Sequence, residues 1–382
     1  MATLPQVEEQ SSGVHATRSW KEDSGVRLAT LRKKLVRRVE PDRSQTLRRS
    51  FQLAFLLLNA WIGIRFYLWV HAFESGSYHS TLNRPAGVEG WLPIAGLMNT
   101  KYWVTSGNIP AVHPAAMFLF LAFVAMAFLF RKAFCSWLCP VGTLSEYLWR
   151  AGRQIFRRNF HLPRWIDIPV RALKYLLLGF FVWAVSSMPA GAIAAFMRSP
   201  YGVIADVKML NFFRHIGETG LIVLGVLVIA SVFVQNFWCR YLCPYGALLG
   251  IAGFFSPLRI RRDASACIDC AKCTKACPSL LPVDKLVSIK SAECTGCLEC
   301  VAVCPAQGAL RISYPEISKT PRRQMPAWAM AAGIAALFLG IVGYARTAGY
   351  WRTDLPRSVY MQLVPRADEA SHPMPGDPAL NQ

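Results

Sequence analysis

Five stretches of the chain, 51–73, 113–130, 170–196, 219–238 and 327–345, are rich in Leu, Phe, Val, Ile, Ala and Trp and are separated by polar or basic segments. Read as helices rising about 1.5 Å per residue, runs of this length cross or nearly cross the roughly 30 Å hydrocarbon core of a bilayer. Only helices and closed barrels satisfy every backbone polar group there, so the pattern predicts an α-helical membrane protein with five transmembrane helices. A soluble fold accommodates one such run as a buried helix, but five in one chain argue against it.

Between the fourth and fifth runs the pattern changes. Residues 259–325 are polar and carry two cysteine runs, Cys267, Cys270, Cys273, Cys277 and Cys294, Cys297, Cys300, Cys304, each spaced C-x2-C-x2-C-x3-C and followed by proline. This is the ligand spacing of a pair of [4Fe–4S] clusters: three thiolates wrap one cluster and the fourth reaches the other. Cluster one is therefore expected to use Cys267, Cys270, Cys273 and Cys304, and cluster two Cys294, Cys297, Cys300 and Cys277. Pro278 and Pro305 turn the chain away from each cluster. Zinc or a disulfide framework fits this twofold repeat poorly. The segment is expected to fold as a small α+β, bacterial-type 2[4Fe–4S] ferredoxin-like domain.

Charge orients the plan. The chain has 382 residues and a formal net charge of +20, and Arg27, Arg32, Lys33, Lys34, Arg37, Arg38, Arg43, Arg48 and Arg49 crowd the approach to the first run. A basic flank stays cytoplasmic, and beside a membrane span it is not read as a nucleic-acid site. No cleavable signal is visible in the first fifty residues. The segments after the second and fourth runs are also basic, through Arg131, Lys132, Arg150, Arg153, Arg157 and Arg158 and through Arg240, Arg259, Arg261 and Arg262. The expected order is a cytoplasmic leader (1–50), a four-helix membrane domain (51–258), a cytoplasmic ferredoxin domain (259–325), a fifth helix (326–346) and a short periplasmic tail (347–382). The tail's Pro-rich end, His372 to Pro378, is expected to be disordered. Reduced cytoplasmic thiols make structural disulfides unexpected.

The remaining four cysteines form a second repeated motif, Cys135-Ser136-Trp137-Leu138-Cys139-Pro140 and Cys239-Arg240-Tyr241-Leu242-Cys243-Pro244. Positions i and i+4 share a helical face, so each copy is expected to present two thiols at the end of a span before Pro-x-Gly breaks the helix. An Arg-x-Pro-x-Gly-Val-like loop precedes each copy, at Arg84 to Val88 and, one residue longer, at Arg198 to Val203. The two halves thus read as a parallel repeat, whose pseudo-twofold axis along the membrane normal would bring Cys135, Cys139, Cys239 and Cys243 together. They are expected to hold a metal or cluster, or to act as a redox dithiol pair; zinc, copper(I) and iron–sulfur suit them equally. Leu144, Tyr147, Leu148, Ala151 and Ile155 form an apolar stripe opposite Arg150, Arg153, Arg157 and Arg158, predicting an interfacial helix lying on membrane lipid.

Over roughly residues 50 to 325, the paired Cys-x3-Cys-Pro motifs and the two ferredoxin runs together resemble the bacterial membrane polyferredoxins of the NosR, NapH and CcoG type. The segment Val88 to Ile94, before Val112-His113-Pro114, looks most like the membrane half of the NosR type. The chain departs from full NosR-type proteins, which carry an N-terminal periplasmic flavin-binding domain, and from CcoG-type proteins, which end in a substantial periplasmic domain. Its fifth span and Tyr350-Trp351-Arg352 exceed a minimal NapH.

The resemblance implies a bacterial inner-membrane protein relaying single electrons between the quinol pool and an unidentified redox partner, an electron-transport component of anaerobic respiration rather than a stand-alone catalyst. Arg65, His71, Glu74, Glu89, Lys101, His113, Asp206 and Glu218 are the candidate ionisable groups for a quinol pocket, Arg65 foremost because it lies inside a span. No span offers a matched histidine pair for haem b, and C-x2-C-H for haem c is absent. The alternative is metal handling, in which the Cys-x3-Cys thiols reduce or stage copper for assembly of a respiratory enzyme. A redox sensor would need an output domain, for which the leader is too short and polar.

Overall fold

The computed structural model describes residues 36–38, 42–76, 82–160, 162–314 and 325–373. The long helices are α1 (Ser44–Glu74), α2 (Pro93–Ser106), α3 (Pro114–Phe130), α4 (Pro140–Phe156), α5 (Arg164–Ser187), α6 (Ala205–Arg214), α7 (Glu218–Phe233), α8 (Pro244–Phe254) and α9 (Ala327–Thr347). Proline opens α2, α3, α4 and α8, where its missing N–H and fixed φ cost nothing.

By length and composition, Ser44–Glu74, Trp165–Ser187 and Ala327–Thr347 can each cross a membrane, and α6 with α7, bent by 83° at the break, supplies a fourth span if taken as one. The chain is a multi-pass membrane protein with three to four such helices. The second and fourth apolar runs fold into shorter helices of 17 and 16 residues. The third run ends early because Met188 and Pro189 stop α5, and a separate helix, Ala190–Arg198, follows. Helix α3 is the hub, packed against α2, α8 and α9. Its apolar residues are mostly buried in protein.

Among the described residues two large cores stack along the molecule, with a small third cluster of Met117, Phe118 and Ala345. One is continuous from α3 and α9 through Phe134, Trp137 and Leu138 into the ferredoxin residues Ile260, Val283, Ile289, Leu298 and Ile312. Strands β1 (Arg259–Arg262) and β2 (Leu310–Ser313) pair antiparallel, with Arg259 opposite Ser313. The ferredoxin part is therefore bonded into the membrane half, not tethered to it: Ser136 Oγ donates to Thr295 O (2.7 Å), and Trp137 Nε1 donates to Gly296 O (3.2 Å). The second core, at the opposite end, joins Phe66, Trp69 and Phe73 to Ile193, Ile204 and the tail residues Tyr360, Val364 and Ala367. The tail thus packs on the molecule. His372 lies against Phe196 and Tyr201, with ring centroids 5.3 and 4.9 Å away; residues 374–378 of the segment expected to be disordered lie outside the described residues.

The helix predicted to lie on the membrane is α4. It turns Leu144, Tyr147, Ala151 and Ile155 outward and buries Ser145, Glu146, Trp149 and Gly152. Gly152 is required by close approach to α7, because a Cβ there would meet Val232 O at 2.0 Å. Gly152→Ala is expected to push the helices apart at a cost of about 1–3 kcal/mol. Lower thermal stability than Gly179→Ala, whose Cβ meets nothing within 4 Å, checks this; equal stability contradicts it.

Candidate iron–sulfur and thiol sites

The two ferredoxin runs adopt the same local backbone. Asp269 and Ala271 in the first and Gly296 and Leu298 in the second, at matching offsets, all have φ between 54° and 64°. Left-handed residues curl each loop so that its thiols face one point and its amides line the concavity. One small cavity is lined by Cys277, Cys294, Cys297 and Cys300 together with Ile260, Val283 and Ile289. A second is lined by Cys267, Cys270, Cys273 and Cys304, with Ile268 and Leu310. Each set takes three cysteines from one run and the last from the other. Burial pushes Cys297 up to about 12 and Cys277 up to about 11. Such thiols become thiolates when bound cations displace their protons. Four-cysteine sets in apolar walls fit iron–sulfur clusters.

The Cys-x3-Cys-Pro motifs do not lie on one continuous helix. Cys135 sits in a short helix, Ala133–Trp137, and Cys239 in a single π-helical turn, Trp238–Leu242, while Cys139 and Cys243 are the N-caps of α4 and α8. The proline does not simply end a helix; it starts the next. In both copies the capping sulfur accepts a backbone bond, from Gly142 N at 3.5 Å and Gly246 N at 3.2 Å. Gly142 is obligatory, since a Cβ would stand 2.2 Å from Cys135 O.

All four of these cysteines line one cavity of about 780 Å³. Cys297 and Glu293 line its ferredoxin end, Phe123, Leu119 and Phe338 its middle, and Arg65, Arg84, Trp91 and Arg352 its far end. Among the described residues no three His, Cys, Asp or Glu side chains stand close enough to hold a single metal ion. Burial pushes Cys135 up to about 12 and Cys139 up to about 11.

Several basic residues expected on a solvated flank are interior. Arg131 is 0% and Lys132 4% exposed. Arg131 donates to Ser291 O at 2.9 Å, and Lys132 lines the cavity. Arg240 is bidentate to Asp167 at 3.0 Å and donates to Ser279 O. Arg48 grips both oxygens of Glu146 at 2.7 Å and Glu299 at 2.9 Å, with Arg150 closing the cluster on Glu299. Gln45 donates to Cys297 O at 2.9 Å. These bonds seat the second ferredoxin run against α1 and the first thiol motif.

Of the ionisable candidates, the fold gathers Glu89, His113 and Asp206 around Arg84. The guanidinium reaches Glu89 at 2.7 Å, Asp206 at 2.7 Å and His113 Nδ1 at 3.1 Å. His113 Nε2 lies 2.8 Å from Gly202 O, so that nitrogen donates and Nδ1 is left to accept from Arg84. Burial alone would raise the Glu89 carboxyl, but the Arg84 guanidinium beside it holds it down at about 2. Arg65 lines the cavity with its guanidinium over Trp61. The other candidates stand apart: Glu74 pairs with Arg214, Lys101 donates to the carbonyls that end α5, Glu218 is exposed at the start of α7, and His71 is exposed near the end of α1.

Two family models match. One, described as a 4Fe-4S binding domain, covers 112–163 and 216–262, and the other, a 4Fe-4S dicluster domain, covers 259–305. YccM of Escherichia coli (strain K12), a proposed electron transport protein, is 49% identical over 86% of this chain and 92% of its own length. The chain belongs to the NosR/NapH-like membrane polyferredoxins. The ferredoxin-type protein NapH of E. coli is 27% identical to this polyferredoxin over 66% of the chain and 83% of NapH. The regulatory protein NosR of Stutzerimonas stutzeri is 30% identical over 42% of the chain and 22% of NosR. No solved structure matches the polyferredoxin. Its role is iron–sulfur electron transfer.

Sequence reasoning missed Lys132 and Arg48 as site residues, and with them Lys174, whose ammonium pairs with Glu293 of the cavity at 2.6 Å. Lys132 carried a signal, three residues before Cys135, but was absorbed into the basic flank.

Proposed function

We propose that this polyferredoxin relays single electrons between the quinol pool and a respiratory or metalloenzyme partner, with the four membrane thiols as a redox-active site between quinol and the ferredoxin domain. The observation that carries this reading is the shared cavity, which touches Arg84 at one end, the four thiols, and Cys297 at the other. Bound to the crossed sets Cys267, Cys270, Cys273, Cys304 and Cys294, Cys297, Cys300, Cys277, two [4Fe–4S] clusters would supply one-electron carriers. Ile260, Val283 and Ile289 keep water from the second set. Arg48, Gln45, Ser136 and Trp137 fix that set's distance from the thiols. Quinol would enter among the apolar walls and be oxidised to quinone, passing its two electrons one at a time through the thiol site to the two clusters and losing its two protons to water at the Arg84 end.

The chain is further proposed to cross a bacterial inner membrane five times as a parallel repeat, α3 spanning where it is buried in protein and α7 with its exposed apolar residues toward lipid, with the ferredoxin domain cytoplasmic and the C-terminus periplasmic. Exposed Arg43, Arg49, Arg153, Arg157 and Arg158 on the ferredoxin side support that orientation.

The test is anaerobic EPR of the full chain mixed with a quinol analogue, in wild type and in Cys135→Ser/Cys239→Ser. Quinol is expected to reduce the wild-type clusters and to act roughly tenfold or more slowly in the variant, while dithionite reduces both. Dithionite-reducible clusters that ignore quinol in the wild type sink the relay. Copper lost only from the variant would point to metal staging instead.

A further inference from the structure

We propose that Cys135, Cys139, Cys239 and Cys243 jointly hold one iron–sulfur cluster, a third electron carrier, and that Lys132 is the residue that sets its potential. The proposal deepens the relay reading by naming the chemical class of the centre at the membrane thiols.

Charge is the first argument. Lys132 is 4% exposed and lines the thiol cavity. Cys135, Cys239, Cys243 and Glu293 line that cavity with it. Glu293 is already paired with Lys174, which is 0% exposed, at 2.6 Å. Among the described residues Lys132 has no carboxylate at ion-pair distance and Glu293 is matched by Lys174, which leaves about one positive charge beside four sulfurs. An uncompensated buried cation is costly, and an anionic centre in the cavity removes the cost. A cluster with four thiolate ligands is such an anion.

Geometry is the second. The thiols surround a common cavity yet are too widely set to grip a single ion, as are the two ferredoxin sets, which also stand around cavities. That layout fits a polynuclear cluster better than a lone zinc or copper ion. Both capping sulfurs also accept amide bonds at a helix N-terminus. Such bonds stabilise thiolate and tune cluster potential.

The third is the repeat. The 4Fe-4S binding model matches two stretches, and each contains only two cysteines. Four ligands are assembled only by combining them. Cys297 lines the same cavity, so the new centre would adjoin the second ferredoxin set. It would take one electron and pass one on, with no bond made or broken.

The test is iron and sulfide analysis with EPR-monitored redox titration of the anaerobically purified full chain. The wild type is expected to hold about ten to twelve irons, for a two-iron or four-iron third cluster, and Cys135→Ser/Cys239→Ser about eight. In Lys132→Gln the iron content is expected to stay at the wild-type level. The midpoint of the thiol-dependent signal should move to more negative potential, the ferredoxin signals should not, and Lys132→Arg should stay near the wild-type potential. About eight irons in both wild type and the cysteine variant overturns the cluster, as does zinc or copper in its place. A full iron complement with an unmoved midpoint in Lys132→Gln overturns the role of Lys132. Should Lys132→Gln not fold, Lys132→Met is titrated in its place, and failure of every uncharged variant with recovery by Lys132→Arg counts against a potential-setting role. A third cluster that quinol does not reduce sinks the relay and leaves this assignment standing.

Discussion

Arg84→Met is expected to be the most destabilising single change at the end of the molecule remote from the ferredoxin domain. Glu89 and Asp206 are 1% and 0% exposed, and Arg84 is the guanidinium that bonds both. Removing it leaves two carboxylates buried against one histidine, a loss of about 3–5 kcal/mol. That is a large share of the roughly 5–15 kcal/mol by which proteins are stable. Thermal inactivation of the detergent-purified chain measures it; a variant that melts with the wild type contradicts it. Arg84→Lys is expected to fall between, because an ammonium cannot serve three partners through a planar fork. The same cluster predicts acid sensitivity. Glu89 is held down at about 2 against an ordinary 4.5. Its contribution is therefore fully present above about pH 4.5 and lost as pH falls toward 2, about 3 kcal/mol in all. In Glu89→Gln that acid-dependent part should be missing.

Cys304→Ser is expected to remove a whole cluster, and the one defined by the first run. Cys304 lies in the second run but lines the cavity of Cys267, Cys270 and Cys273. Serine replaces a soft thiolate with a ligand poorly suited to iron–sulfur clusters, so about four irons per chain should go, with one of two coupled EPR signals. Cys267→Ser should give the same loss, and the pair no further loss. Cys304→Ser with Cys294→Ser should lose both clusters. Loss of the same cluster in Cys304→Ser and Cys294→Ser would refute the crossed sets.

The ferredoxin runs were legible because chelation is local. Spacings of two and three residues fix how far apart thiols stand whatever surrounds them, and the cavities of Cys267, Cys270, Cys273, Cys304 and of Cys277, Cys294, Cys297, Cys300 follow that spacing. The apolar runs were legible as helices for a related reason: composition and period are properties of each segment. Their ends were less so, since Pro189 and the extended backbone at Val234 cut two of them short. The two Cys-x3-Cys motifs were expected to meet because they repeat, and all four thiols line one cavity; the helical face expected to carry both thiols of each copy gave way to a short turn and an N-cap.

Charge was the part that the chain read one residue at a time misassigned. Arg131, Lys132 and Arg240 have the composition of a basic flank and the positions of interior groups. Arg84, Glu89, His113 and Asp206, with Thr353 of the tail donating to Glu89 at 3.1 Å, come from distant segments, while Glu74, Lys101 and Glu218, equal candidates on paper, were left outside. Ligand spacing and helix-forming composition are written into short stretches and were determined by the sequence alone. Which ionisable groups are buried, which pair, and which face the cavity depended on the packing of α1, α3, α4 and the ferredoxin loops, because the energy of a charge is set by what lies a few ångströms away in space.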